Sequence, residues 1–172
     1  MKRVLITFSI IIVFVFGVYG YVWYETYQNT KVFFTHAEEN YEKEAYALAI
    51  KGGETYNKAT GSYEAIGGYE EVLGIWSNPY AIPKPDIYYQ AKDKIDSIIY
   101  EKLSADEGFA LFQQYFQLDN DFLPEILIQS GILYKDSGQE GKAKAIFELA
   151  IDAFGMKDHI REQAEQHLQE MK

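Results

Sequence analysis

Residues 127–155 read LIQSGILYKDSGQEGKAKAIFELAIDAFG. Within them Gly131, Tyr134, Ala143, Phe147 and Ala150 follow one another at separations of 3, 9, 4 and 3 positions. Such an order predicts two antiparallel helices with a turn at Gly138. Small residues at the Gly and Ala sites let the helices approach, and the aromatic rings fill the space beside them. Working outward, the same separations recur earlier in the chain at Gly53, Tyr56, Ala65, Tyr69 and Val72. Ile95, Ile98, Gly108, Phe112 and Tyr115 reproduce them between the two, with one additional residue in the turn. A helix pair too small to bury its own apolar face stacks on copies of itself, so a repeated spacing of this kind predicts a helical array.

The stretch 127–155 resembles a tetratricopeptide repeat (TPR), with small-x-x-Tyr on its first helix, Gly138 in the turn and Ala-x-x-x-Phe-x-x-Ala on its second. It departs from the family pattern at Leu127, where Trp is common, at Ser130, which replaces Leu, and at Gly155, where Pro usually closes the unit. Residues 47–79, ALAIKGGETYNKATGSYEAIGGYEEVLGIWSNP, are similar, although Gly52, Gly67 and Gly68 each weaken a helix by roughly 1 kcal/mol. The resemblance implies an all-α fold: a TPR-like α-solenoid of about three helix-turn-helix repeats over residues 46–155. A capping helix over 158–171 would close it. The family holds partner peptides or helices in a concave groove lined by the first helix of each unit. Carried onto this sequence, that groove would comprise Ala47, Ile50, Glu54 and Asn57, then Tyr89, Lys92 and Asp96, then Glu125, Ile128, Ile132 and Lys135.

The punctuation between apolar segments agrees with helices. Stop signals fall at Gly52-Gly53, Gly61, Asn78-Pro79 with Pro83 and Pro85, Asp119-Asn120-Asp121, Gly138 and Gly155. Ser104-x-x-Glu107 has the form of a capping box and predicts a helix over about 105–118. No stretch shows sustained strand-like alternation bounded by hairpin turns.

Ahead of this domain, residues 4–24, VLITFSIIIVFVFGVYGYVWY, carry no charge. As a helix those 21 residues span roughly 30 Å, the thickness of a bilayer's hydrocarbon core. Tyr19, Tyr21, Trp23, Tyr24 and Tyr27 cluster at the far end, as interfacial aromatics do, and Lys2 and Arg3 mark the near end as cytoplasmic. The expected organisation is a transmembrane anchor over 1–28 and an extracytoplasmic repeat domain, periplasmic or extracellular, over 29–172. A cleaved signal peptide cut after Gly20 is the competing reading, and it would release the domain.

Composition narrows function further. Setting Lys2 and Arg3 aside leaves 14 basic against 26 acidic residues, a balance of −12 that repels nucleic acid and anionic lipid. Cysteine is absent, which removes disulfides, thiolate nucleophiles and thiolate metal sites. His36, His159 and His167 lack metal-ligand spacing, and the usual hydrolase and nucleotide signatures do not occur. The acidic residues Glu38, Glu39, Glu42 and Glu44 and the pair Glu70-Glu71 read as solvated helix faces. Phe109, Phe112, Tyr115 and Phe116 read as core. The expectation is therefore a membrane-anchored scaffold that binds a partner protein within a cell-envelope, translocation or assembly complex, with no enzyme activity, cofactor or metal. A small helical metal binder or enzyme is the alternative of another class, and self-association of the repeats a third.

Overall fold

In a computed structural model, which describes residues 2–58 and 61–171, the chain is mostly helical and divides into two compact units, Met1–Asp93 and Lys94–Lys172. The first unit is organised on α1, Lys2–Glu42, a single uninterrupted helix of 41 residues. Every residue from 6 to 22 is exposed on all sides of it. From Trp23 onward the helix acquires a covered face: Trp23, Thr26, Tyr27, Thr30, Phe33, Phe34, Ala37 and Tyr41 recur every three or four positions. Against that face pack α2, Tyr46–Lys51, and α3, Tyr69–Trp76. The Trp76 indole N–H donates to Thr30 Oγ1 at 3.2 Å and its ring lies 5.4 Å from that of Trp23. Tyr69, fully buried, meets Phe34 edge-on and donates its hydroxyl hydrogen to Glu38.

Between α2 and α3 the chain forms an antiparallel hairpin, β1 Gly53–Asn57 and β2 Ser62–Ile66, with Gly53 opposite Ile66 and Asn57 opposite Ser62. This corrects the expectation of a helix pair there. Of the five positions that shared the repeat spacing, Gly53 and Tyr56 lie on β1, Ala65 on β2, and only Tyr69 and Val72 on a helix. The cause is local. Gly52 adopts φ 68°, which ends α2 after six residues and turns the chain into the strand. A Cβ at Gly68 would collide with the Ile50 carbonyl, so the hairpin's far end returns to α2 through a glycine. Beyond α3, residues 78–85 carry Pro79, Pro83 and Pro85 and run back along α1, where Trp23 Nε1 donates to Pro83 O at 2.7 Å. The Ile82–Pro83 peptide is cis. Helix α4, Asp86–Ser97, follows.

The second unit is wholly helical. A π-helical turn, Ile98–Lys102, leads through Ser104 into α5, Ala105–Tyr115. The capping box is present in both directions: Glu107 N–H donates to Ser104 Oγ at 3.3 Å and Ser104 N–H to Glu107 Oε2 at 2.9 Å. Three further helices follow: α6, Leu123–Asp136; α7, Glu140–Phe154; and α8, Asp158–Glu170. Each packs on its predecessor, and alternate helices run in the same direction. Gly108 on α5 faces Ser130 and Ile126 on α6, and Phe112 and Phe116 meet Phe154 of α7 with ring centroids 5.9 and 5.7 Å apart. The turn between α6 and α7 is made by Gly138 at φ 75°.

The predicted closeness of α6 and α7 rests on one glycine. A Cβ placed at Gly131 would stand 2.6 Å from Phe147 Cε1, well inside van der Waals contact. Gly131→Ala is expected to destabilise the protein by about 1–3 kcal/mol through overpacking, read by chemical denaturation of the full chain in detergent. In a Phe147→Leu background the same substitution should cost less. Equal costs in the two backgrounds would show that the contact is not tight.

Candidate interaction surface

The residues that line the expected groove fall into three groups. Ala47 is half-buried and Ile50 fully buried on α2, whereas Glu54 is exposed on β1 and Asn57 ends that strand. These four do not share a helix face, because the chain leaves the helix at Gly52. Tyr89, Lys92 and Asp96 are exposed on α4, with the Tyr89 ring edge-on to Tyr88 at 5.2 Å. Glu125, Ile128, Ile132 and Lys135 follow one another at helical spacing on α6 and do share a face.

What that face meets is α8. His159 Nε2 lies 3.8 Å from Glu125 Oε1 near the start of both helices, and Lys135 Nζ donates to Glu170 Oε2 at 2.5 Å near the end of both. Lys135 Nζ also stands 3.4 Å from His167 Nδ1. The partners are 34, 35 and 32 positions apart in sequence, so α8 lies beside α6 in parallel register. Between the polar ends Ile128 is core, and Ile132 is left half-open. The face thus carries a partly exposed aliphatic side chain with a carboxylate at one end and an ammonium at the other.

Charge here is held in place by hydrogen bonds. Hydrogen bonding from Lys135, helped by Gln166 and by the lysine's charge, lowers the Glu170 carboxyl from its ordinary 4.5 to about 2. Burial, with the hydrogen bond to Asp106, pushes the Tyr134 phenol up to about 12. The Ser104 cap holds Glu107 below the usual carboxylate range.

Several side chains have roles that composition and spacing did not signal. His167 is not a solvent-facing residue: its ring stacks on Phe147 at 4.9 Å, 16° from parallel. Glu70 forms an ion pair with Lys51 at 2.8 Å inside the first unit, and Glu71 accepts from the Gly68 N–H at 2.6 Å at the start of α3. Glu38 receives the Tyr69 hydroxyl. His159 remains exposed, as expected of a solvated helix. Burial of acidic and imidazole side chains depends on what the tertiary fold brings opposite them, so the only available signal was the apolar neighbour three or four residues away.

Comparison of the chain with protein-family models, with curated proteins and with solved structures gave no match.

The Lys135–Glu170 pair makes a definite titration. A carboxyl whose folded value is depressed adds stability above its ordinary value of 4.5, and the contribution is lost as pH falls toward about 2. NMR of the Glu170 side chain should show a midpoint near 2, and Lys135→Met should return it toward 4.5. A midpoint unchanged by the substitution would mean the ion pair does not form in solution.

Proposed function

We propose that the protein is a membrane-anchored protein–protein interaction scaffold. The residues 4–24 of α1 hold it to a membrane by a single span, and TPR-like helices of the second unit bind a peptide or helix of a partner protein. The observation that carries the repeat reading is the register of α6 and α8. Two parallel helices whose contacts are 34 and 32 positions apart, with an antiparallel α7 following the first, have the order of one repeat and the opening helix of the next. Helix α5 then corresponds to the second helix of a preceding unit. The reading extends over α5 to α8 and leaves the hairpin of the first unit outside the array.

The partner groove on this reading is the α6–α8 face around Ile132, between Glu125 and Lys135. Lys2 and Arg3 favour a cytoplasmic N-terminus and an extracytoplasmic domain. One feature favours an anchor that is retained. A cut after Gly20 would sever α1 in mid-helix and remove Tyr19, whose hydroxyl lies 2.7 Å from Ile82 O. A scaffold confined to a membrane surface gains effective concentration toward envelope or assembly partners on the same surface.

The test uses the full chain in intact membranes with a photo-crosslinking residue in place of Glu125. A defined partner should be captured, and Ile132→Glu should abolish the capture while circular dichroism stays unchanged. Retention after alkaline extraction and a mature N-terminus ahead of Tyr21 are expected of the anchor. Capture indifferent to Ile132→Glu would remove the groove, and a chain beginning at Tyr21 would remove the anchor.

A further inference from the structure

We infer that residues 80–82 form a second membrane contact, an interfacial loop that inserts its apolar side chains into the outer edge of the bilayer beside the span. The inference rests on the anchored reading above. Its starting point is an exposure that water does not favour: Tyr80 is 82% and Ile82 65% exposed on a short loop whose backbone is fixed. The fixing comes from α1. Tyr19 Oη accepts from the Ile82 N–H at 3.0 Å and lies 2.7 Å from Ile82 O and 2.9 Å from Tyr80 O, and Trp23 Nε1 donates to Pro83 O. Tyr19 precedes Tyr24, the last residue of the uncharged run, by five positions, or about 8 Å along a helix. The loop is therefore held within about one and a half helical turns of the end of the span, among Tyr21, Trp23 and Tyr24.

The backbone N–H groups of this loop are also paired. Tyr80 N–H donates to Asn78 Oδ1 at 2.9 Å, Ala81 N–H to Asn78 O at 3.0 Å, Ile82 N–H to Tyr19 Oη, and Pro83 has no N–H. Paired amides are what a loop at bilayer depth requires, since water is not there to pair them. A cleft of about 260 Å³ opens alongside, between Tyr19, Val22 and Trp23 on one wall and Trp76 and Tyr80 on the other. Its aromatic lining at the interface suits a lipid's glycerol and upper acyl region. The net acidity of the domain argues for attachment through apolar insertion rather than through anionic headgroups. The occupant is thus the neutral interfacial zone of the same bilayer that holds α1, and two contacts in place of one would restrict the tilt of the first unit.

Since the chain contains no cysteine, single cysteines can be placed at Val13, Glu39, Tyr80 and Ile82 of the full chain and labelled with an environment-sensitive fluorophore. The proteins are reconstituted in phosphatidylcholine vesicles with or without brominated acyl chains. Labels at Tyr80 and Ile82 should shift to the blue and be quenched by the brominated lipid, as at Val13. The label at Glu39, sixteen positions beyond Trp23 on α1 or about 24 Å away, should not. Tyr19→Phe should return the Ile82 label toward the spectrum at Glu39 while leaving Val13 quenched. Quenching at Val13 with wet labels at Tyr80 and Ile82 overturns the loop and leaves the anchor standing. A wet Val13 overturns both. Blue-shifted but unquenched labels at the loop would assign the surface to protein rather than lipid and overturn the proposal as well.

Discussion

The first unit depends on one constraint: a single helix changes environment along its length without changing its backbone. From residue 6 to Val22 the side chains of α1 are exposed, and from Trp23 to Tyr41 one face is closed by α2 and α3. The change is marked by aromatic side chains with a polar atom. Trp23 packs on Trp76 and Tyr27 and gives its N–H to Pro83, and Thr30 receives the Trp76 indole while giving its own hydrogen to Thr26 O. Such residues can be apolar toward one neighbour and hydrogen-bonded toward another. An all-aliphatic seam would have left the carbonyls of Ile82 and Pro83 without the Tyr19 and Trp23 donors they have here.

Once α1 is fixed, the rest of that unit follows from where close approach is required. Gly67 lies against Phe33 and Gly68 against Ile50 O, so the hairpin can be drawn in beside α1 and α2 only through glycine. Lys51 and Glu70 are then brought together with side-chain exposures of 1% and 12%, an ion pair that must form if either is to stay inside. Tyr69 shows the same economy, its buried phenol pushed far above its usual range by desolvation and by the Glu38 carboxylate that accepts its hydrogen.

The punctuation of the fold was legible in the sequence and the identity of one supersecondary unit was not. Gly52, Asn78-Pro79, Gly138 and Gly155 each stand at an element's end, and the Ser104–Glu107 box caps α5 as its spacing requires. The segments around Gly131 and Gly53 nevertheless share five spaced positions and fold differently. Between Gly131 and Ala150 most of the intervening residues are Ala, Lys, Glu, Leu and Ile, and the two glycines, Gly138 and Gly141, fall in the turn and at the start of α7. Between Gly53 and Val72 they include Thr55, Thr60, Tyr63 and three further glycines, which favour strand and turn. Spacing constrains which side chains can meet; the residues between decide which backbone carries them. Of the expected groove, the α6 residues share one helix face and so do Tyr89, Lys92 and Asp96 on α4, whereas Glu54 and Asn57 are carried off by the strand that begins after Gly52.

The register of α6 against α8 also explains why the polar residues of that face are ordered. Two parallel helices place their positive ends side by side and their negative ends side by side, which is unfavourable for the macrodipoles unless charges intervene. At the C-terminal ends Lys135 stands between the two helices and draws Glu170 to 2.5 Å, with His167 3.4 Å from the same carboxylate. At the N-terminal ends Glu125 fills the corresponding place opposite His159. Glu125 at the N-terminal end and Lys135 at the C-terminal end have the signs that the dipoles favour, and Lys135 also offsets Glu170, whose sign at the end of α8 is the opposite one. Lys135 and Glu125 are thus both engaged by α8, and Ile132 between them is left half-open.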